Sequence, residues 1–334
     1  MGTQDLEVMI KHIDIALSIN CNLKCKMCGY REPIANEEGL KKEDVFRLLR
    51  DARELGLESI AFSGGEVLMR KDIFDIVSYA RDLNISEIIV VTNGTLVNEE
   101  NAKKLVKSGM TNVNISLEGP EHINDFIRGE GTYKKVVEAI NIFKKYEEKL
   151  VISVNTVISK YNCRNLFEFT KFVYEDLGIR NITYSPLNTD MMGSNLEKYH
   201  SDLVALPEDI PYIESAIESI IEFSNSKNDN FISETYMRKM TDYFLGKRIA
   251  PQRPCLIPSE SCGIDSAGNV FPCWVEYKCA GNITKESLKD IVVKDIYRNQ
   301  CESALLMKCK GCLVSCYTSV HHDEPGQGAI DDAL

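Results

Sequence analysis

The sequence lacks the features that mark membrane, secreted and nucleic-acid-binding proteins. No apolar run approaches the ~20 residues that a membrane-spanning helix needs. The first residues, which include Asp5 and Glu7, show no basic-then-apolar secretion signal. Lysine and arginine form no block, and the net charge is −11. These absences predict a cytoplasmic protein whose main partner is neither a membrane nor a nucleic acid.

The composition is otherwise that of a globular protein, with 44% apolar and 27% charged residues. Its 334 residues predict one large domain, or a large domain with a smaller one. Cysteine stands out with 12 residues, and a cytoplasmic chain seldom uses cysteines as a disulfide framework. They concentrate at 21–28 and 255–316, which indicates metal binding in an oxygen-poor setting. Cys163 lies alone between these groups and is predicted to be a buried or partly buried free thiol.

The first cysteine group, Cys21, Cys25 and Cys28, follows an apolar stretch at 13–19 that is typical of a buried strand. The loops after parallel strands are where α/β proteins bind ligands. A 4Fe–4S cluster held by three cysteines keeps one iron open, whereas structural zinc takes four protein ligands. We therefore expect a cluster here, and a zinc knuckle or three unlinked thiols is the alternative.

Predicted strands alternate with predicted helices over the first 185 residues. The strands are expected at 13–19, 59–62, 87–91, 112–117, 150–157 and 181–185, and the helices at 41–55, 72–83, 99–108, 133–146 and 166–177. This alternation predicts a parallel sheet with right-handed crossovers. Because a full eight-fold barrel takes ~250 residues, six units predict an α/β fold with a partial, open barrel.

The loop after the second predicted strand contains Gly64, Gly65 and Glu66. Two adjacent glycines allow the backbone to approach a ligand closely, and a carboxylate beside them can pair with an ammonium group. Taken alone, the glycine pair is more typical of a tight turn.

The second cysteine group accompanies a predicted β-hairpin at 263–272, with its turn at 266–269. Its members are Cys255, Cys262, Cys273, Cys279, Cys301, Cys309, Cys312 and Cys316. A helix is predicted near 288–297. Structural zinc is the alternative for this group, since zinc also favours Cys-x2-Cys pairs.

The Cys-x3-Cys-x2-Cys spacing, with Met27 before its third cysteine, resembles the signature of the radical S-adenosylmethionine (SAM) superfamily. Gly64-Gly65-Glu66 resembles the Gly-Gly-Glu motif of that family, although Val67 stands where proline is usual. The resemblance implies a partial (β/α)6 TIM-like barrel and a 4Fe–4S cluster on Cys21, Cys25 and Cys28 that binds SAM. It further implies these SAM contacts: Met27, Gly64, Gly65, Glu66, Thr92, Asn93, Ser116, Glu118, Arg128 and Asn155.

Some of these contacts have a simpler interpretation. Thr92, Asn93 and Asn155 could equally be residues that only form hydrogen bonds at strand ends. Arg128 could equally be a solvated surface arginine. His12, His122 and His200 are expected to be ordinary structural histidines.

The second group resembles the SPASM/twitch extension of many radical SAM enzymes, a small cysteine-rich auxiliary-cluster domain. The resemblance implies one auxiliary 4Fe–4S cluster on Cys255, Cys273, Cys309 and Cys312, with Cys262 or Cys316 as alternatives to one of the four. The full two-cluster pattern has two further cysteines that this sequence lacks, so a second auxiliary cluster is the less favoured alternative.

The implied reaction starts with reductive cleavage of SAM to a 5′-deoxyadenosyl radical, which abstracts hydrogen from a substrate. An oxidoreductase results if the auxiliary cluster takes up an electron. An isomerase results if a thiol returns a hydrogen atom, and the candidate donors are Cys163, Cys262, Cys279 and Cys301. A flavodoxin or ferredoxin type of electron donor is expected.

The first strand begins too early for the N-terminal module that peptide-modifying relatives often carry. A small polar metabolite is therefore the expected substrate, and a short peptide is the alternative. A non-catalytic metal-binding scaffold is a third hypothesis.

The expected domains are a barrel at 1–185, a helical linker that walls the active site at 186–250, the auxiliary-cluster domain at 251–320 and a disordered tail at 321–334. The linker is expected to contain helices at 209–223 and 235–245, with Met191 and Met192 serving as packing residues.

Overall fold

The structure is a computed structural model, and it describes residues 8–29, 39–187, 202–227, 231–247, 249, 254–274, 278–309 and 311–313. The strands are β1 His12–Ala16, β2 Ser59–Ser63, β3 Glu87–Thr92, β4 Asn112–Ser116, β5 Val151–Ile158, β6 Asn181–Pro186, β7 Ser261–Ile264, β8 Asn269–Phe271 and β9 Gly281–Asn282. The helices are α1 Lys42–Glu54, α2 Ile73–Asp82, α3 Glu99–Ser108, α4 Glu121–Arg128, α5 Thr132–Lys144, α6 Leu166–Lys171, α7 Ile210–Lys227, α8 Glu234–Phe244, α9 Ile257–Glu260, α10 Leu288–Val292 and α11 Asp295–Leu305.

The strands form one open sheet in the order β6-β5-β4-β3-β2-β1-β7-β8-β9. Strands β1 to β6 are parallel in chain order, and helices connect them, so the predicted partial barrel is confirmed. β7 pairs in parallel with β1, and β8 and β9 follow antiparallel. The hairpin of the C-terminal part therefore extends the barrel sheet. No sequence pattern predicted this pairing.

Each barrel strand has a buried face and a partly accessible face. Ile13, Ile60 and Ile88 are fully buried and pack with helix residues such as Leu48 and Ile76 in one apolar core. The alternate residues point away from the helices, and we call their surface the inner face. Its polar members on β1 to β4 are His12, Asp14, Ser59, Ser63, Glu87, Asn112, Asn114 and Ser116. A closed barrel would fill this space with apolar side chains, whereas here polar side chains share it with apolar ones such as Ile89 and Val91.

The C-terminal part packs against the barrel through α1. The Leu288 amide at the start of α10 donates to the Asp51 carboxylate over 3.1 Å, and Lys289 pairs with Glu54 at 2.6 Å. These contacts join residues more than 200 positions apart in the sequence.

Three helix predictions differ from the structure. The short helix α4 was not predicted, because Gly119, Pro120 and Gly129 around it suggested a loop. The helix predicted at 288–297 is two helices, α10 and α11. The helix predicted at 166–177 consists of α6 followed by a π-helical turn, Phe172–Asp176.

Several predictions fall outside the described residues: those on Met191, Met192, His200, Cys316 and the tail at 321–334. Among the helices that the structure describes, none combines the length and apolar character that crossing a membrane requires.

Candidate active site and auxiliary cysteine site

The segment between β1 and Cys21 is held by the loop after β2. The Gly65 amide donates to the Ser18 carbonyl over 2.6 Å, and the Glu66 amide donates to the Asn20 carbonyl over 2.8 Å. The two loops therefore run side by side, and the Gly-Gly-Glu loop fixes the chain that leads directly into the cysteines.

Only glycine fits at this approach. A Cβ atom on Gly64 would lie 2.2 Å from the Ser18 carbonyl oxygen, and one on Gly65 would lie 2.1 Å from the Asn20 carbonyl oxygen. Gly64 also has a φ of +122°, which L side chains rarely adopt. The sequence suggested that these glycines let the backbone approach a ligand. In the structure they already let it approach the stem of the cysteine loop.

The Glu66 carboxylate organises the ends of β2 and β3. It accepts hydrogen bonds from the Thr92 hydroxyl at 2.8 Å, the Asn93 amide at 2.7 Å and the Leu68 amide at 3.1 Å. Burial raises the pKa of Glu66, and these hydrogen bonds oppose that effect. The side-chain amide of Asn93 in turn lies 3.7 Å from Cys21 Sγ. Glu66 thus links the strand ends to the first cysteine.

The cysteine loop rests on the C-terminal end of α4. The Lys26 amide donates to the Ile127 carbonyl over 2.8 Å, and Cys25 Sγ lies 3.9 Å from the Arg128 carbonyl oxygen. Burial raises the pKa of Cys25 to about 11; Arg128 lowers it, while Cys28 and Cys21 raise it further. Burial also raises the pKa of Cys21. The three thiols therefore influence one another electrostatically in one partly buried loop.

Arg128 and Glu118 form a buried ion pair beside this loop. Arg128 Nε donates to Glu118 Oε1 over 2.9 Å, and Arg128 Nη2 contacts the same oxygen. Glu118 is fully buried, and its other oxygen accepts from the Val157 amide over 2.7 Å. Burial opposes the charge of Arg128, but Glu118, Cys25 and Cys28 leave its pKa raised overall. Arg128 ends a helix and is 8% exposed, so it is not a solvated surface arginine.

The other predicted SAM contacts lie at the same end of the sheet. Ser116 ends β4 and is opposite Asn155 of β5, whose side-chain oxygen accepts from Thr183 over 3.0 Å. Met27 lies in the turn between Cys25 and Cys28. The structure thus collects all the predicted contacts around the cysteine loop and the neighbouring strand ends.

A cavity of about 700 Å³ lies beside the cysteine loop. Cys21, Glu66 and Arg70 line it together with residues at the start of α1. The predicted contacts on β3, β4 and β5 do not line this cavity, so it lies on the β1–α1 side of the loop.

The four cysteines assigned first to an auxiliary cluster line a second cavity, of about 370 Å³. Cys255 precedes α9, Cys273 follows β8, and Cys309 and Cys312 follow α11. Burial raises the pKa of Cys255 to about 12, the Ile257 amide lowers it, and the three other cysteines raise it further. The structure therefore brings these four thiols together.

The other cysteines with a predicted role lie elsewhere. Cys262 is opposite Ile13 on the buried face of the sheet, so its thiol points away from the inner face. Cys301 is fully buried with Sγ 3.1 Å from the Pro258 carbonyl oxygen, and Cys279 is exposed. Cys163 is a buried free thiol, as predicted. None of the described cysteines forms a disulfide.

Both thiol sites offer the number of thiols that a 4Fe–4S cluster takes. Within the described ranges, no three His, Cys, Asp or Glu side chains are grouped tightly enough to hold one ion. A 4Fe–4S cluster is larger, and each cysteine ligand binds a different iron. The first loop offers three thiols and leaves one iron open, whereas the second site offers four. An open parallel barrel with these two sites defines an iron–sulfur enzyme.

Two family models match the chain. The model of the radical SAM superfamily matches residues 15–171, and that of an iron–sulfur cluster-binding domain, SPASM, matches residues 255–313. The chain therefore belongs to the radical SAM superfamily and carries a SPASM domain. Its cofactors are accordingly SAM and 4Fe–4S clusters.

Curated relatives resemble the chain over different lengths. A cysteine-type anaerobic sulfatase-maturating enzyme of Clostridium novyi is 28% identical over an alignment of 323 positions, which covers 88% of this chain and 83% of the relative. A probable GTP 3′,8-cyclase of Saccharolobus solfataricus is 29% identical over 208 residues, 61% of this chain. The chain spans only 65% of that cyclase's length.

Solved structures share the fold. Native anSMEcpe with bound AdoMet has a TM-score of 0.69 at 20% identity, over 93% of this chain and 87% of that one. SuiB of Streptococcus suis bound to precursor peptide SuiA has a TM-score of 0.65 at 19% identity, over 91% of this chain and 72% of that one.

Proposed function

We propose that the protein cleaves SAM reductively and abstracts a hydrogen atom from a residue of a peptide substrate. The observation that carries the proposal is the cysteine loop, whose stem is hydrogen-bonded to the Gly64-Gly65-Glu66 loop. When bound, the cluster and SAM supply the 5′-deoxyadenosyl radical. The chain binds and orients SAM and keeps water from the radical.

We assign separate roles to the residues around the loop. Glu66, with Thr92 and Asn93, fixes the strand ends on which SAM binds. Arg128 places a positive charge near Cys25 and Cys28, which stabilises the thiolate form that iron ligation requires. Ser116, Glu118 and Asn155 remain proposed SAM contacts, with Glu118 also holding Arg128.

The peptide substrate is supported by the sulfatase-maturating relative, because it aligns with 88% of this chain, including the SPASM region. Cys255, Cys273, Cys309 and Cys312 would hold the auxiliary cluster, which would supply an acceptor for the electron that a substrate radical loses when it is oxidised. Epimerisation is less well supported, since the Cys262 thiol faces away from the inner face.

A small polar metabolite is the second candidate substrate. It is supported by the cyclase relatives, whose names specify GTP, and by the polar inner face of the barrel. A non-catalytic scaffold is the third hypothesis.

The test uses protein reconstituted anaerobically with iron and sulfide, then given dithionite and SAM. Formation of 5′-deoxyadenosine is expected from the wild type and not from the C21A/C25A/C28A variant. If clusters are present and no 5′-deoxyadenosine forms, the scaffold hypothesis replaces the proposal.

A second step identifies the substrate class. The protein is incubated with a deuterated protein digest or with a deuterated extract freed of peptides. Deuterium in 5′-deoxyadenosine from the digest supports a peptide substrate, and deuterium from the extract alone favours the metabolite. Deuterium from neither source contradicts both.

A further inference from the structure

A line of hydrogen-bonded polar side chains crosses the inner face of the barrel. His12 Nδ1 lies 2.9 Å from the Ser59 hydroxyl, which donates to Glu87 over 2.5 Å, and the Asn112 amide donates to Glu87 over 2.9 Å. His12 Nε2 lies 3.4 Å from Asp14 Oδ1. The line joins four neighbouring strands and includes a histidine that the sequence suggested was merely structural.

Trp274 extends this line of polar side chains beyond β1 toward β7. Its indole donates a hydrogen bond to Asp14. The ring lies over Gly263, which is opposite Asp14, and a Cβ atom on Gly263 would come within 2.0 Å of it. The only tryptophan of the chain therefore reaches the inner face because its neighbour is a glycine.

These side chains are surrounded by protein and yet reachable. The Asp14 side chain is 46% exposed and that of His12 is 32% exposed. Even so, burial is the largest influence on the pKa of both groups. Both facts are expected of groups that line a concave, water-accessible interior.

The local charge is negative. Asp14 and Glu87 are carboxylates, and His12, which contacts Asp14, can carry a positive charge. Within the described residues, the influences on the pKa of His12 and Asp14 include no lysine or arginine. Glu118, just after β4, and Arg128, at the end of α4, neutralise each other. A ligand group that carries a positive charge would compensate the second carboxylate.

We propose that His12, Asp14, Glu87 and Trp274, here called the inner-face cluster, bind an ammonium group of the substrate. The inference rests on the proposed function and narrows its substrate class to amine-bearing compounds, such as a peptide with a lysine side chain. Asp14 accepts from the ammonium group, Glu87 holds His12 through Ser59, and the Trp274 indole N–H orients Asp14. A hydrogen bond between an ammonium group and a carboxylate is stronger than one between neutral groups.

The test is a ligand-observed NMR titration of cluster-loaded protein. The probes are Nα-acetyl-lysine methylamide and its norleucine counterpart, which keeps the four side-chain carbons and lacks the ammonium group. The lysine probe is expected to bind saturably and the norleucine probe at least about tenfold more weakly. Equal binding of both probes, or no binding of the lysine probe, overturns the inference.

Variants locate the binding. Asp14→Asn and Glu87→Gln are each expected to weaken the binding of the lysine probe about tenfold or more. The matched control is Asp75→Asn on α2, where the carboxylate side chain is 63% exposed. This variant should bind the lysine probe as the wild type does. Iron content verifies that each variant is folded. If Asp14→Asn and Glu87→Gln bind the lysine probe as the wild type does, the inference is wrong.

Formation of 5′-deoxyadenosine in the same samples separates the two proposals. SAM cleavage without amine binding rejects the inner-face cluster alone. Amine binding without SAM cleavage rejects the proposed reaction alone.

Discussion

Gly65 lies so close to Asn20 that a Cβ atom on Gly65 would be 2.1 Å from the Asn20 carbonyl oxygen. The contact is with backbone, which cannot move aside as a flexible side chain can. It ties the loop after β2 to the residue that precedes Cys21. The position of the first cysteine thus depends on a glycine more than 40 residues away in the sequence.

We therefore predict that Gly65→Ala displaces the stem of the cysteine loop. Overpacking of this kind costs about 1–3 kcal/mol, and the cost falls on the chain that leads into Cys21. Iron bound at Cys21, Cys25 and Cys28 should decrease, while iron at the SPASM site is retained. Iron analysis combined with urea unfolding measures both effects.

The matched control is Gly246→Ala. Gly246 has a φ of +68°, and a Cβ atom there would have no heavy atom within 4 Å, so the substitution adds only backbone strain. Its iron content should equal that of the wild type. Equal iron loss in both variants would show that the Gly65 contact is unimportant.

The buried pair of Arg128 and Glu118 predicts a strong and non-additive effect. Arg128→Met leaves the fully buried Glu118 without its partner and should destabilise the protein by about 3–5 kcal/mol. Adding Glu118→Gln should restore part of the loss, because it removes the uncompensated charge. Urea unfolding of the single and double variants gives the coupling energy.

The exposed pair of Lys104 and Glu100 provides the comparison. Lys104→Met should change stability little, since solvent screens this pair. Additive effects at Arg128 and Glu118 would contradict the buried ion pair.

Iron content separates the two thiol sites. Alanine at Cys21, Cys25 and Cys28 should remove about four iron ions per chain, and alanine at Cys255, Cys273, Cys309 and Cys312 another four. Cys163→Ala removes a buried thiol outside both sites, and this variant should retain all of its iron. Tightly bound zinc in place of iron at either site would refute the cluster assignment there.

The pairing of His12 with Asp14 predicts a pH window for stability. The pKa of His12 is raised above 6.5, so its contribution is complete below 6.5 and is lost as pH rises through the folded value. The pKa of Asp14 is lowered below 3.8, so its contribution is present above 3.8 and is lost as pH falls through the folded value. The pair should stabilise the protein mainly between these limits.

His12→Asn should consequently lower the urea midpoint more at about pH 5 than at about pH 8. His122→Asn, which changes an exposed histidine on α4, serves as the control. A His12→Asn effect that is the same at both pH values would exclude the charged pair.

The barrel could be predicted from sequence because its signals are local. Apolar stretches such as 87–91 and amphipathic helices such as 99–108 have their own periodicity, and the structure places both within one residue of the prediction. Helix α4 was missed because it is short and flanked by glycine and proline, which suggested a loop that would leave Arg128 at the surface.

The features that the sequence did not predict depend on long-range contacts. No local pattern indicates that β7 pairs with β1 or that Trp274 reaches Asp14, because these residues meet only when the C-terminal part folds back. The alternation of polar residues along β1 and β4 was the one available sign of a polar inner face. Motifs located the cysteine loop, but only the structure relates Gly65 to Asn20 and Glu118 to Arg128.

The most direct test of the account is electron paramagnetic resonance of the reduced variant that lacks Cys255, Cys273, Cys309 and Cys312. This variant should contain only the cluster on Cys21, Cys25 and Cys28, so its spectrum reports that site alone. Adding SAM should change the spectrum, since SAM binds the open iron. A spectrum that SAM leaves unchanged, in protein with verified iron, would contradict the central claim that this loop holds a cluster which binds SAM.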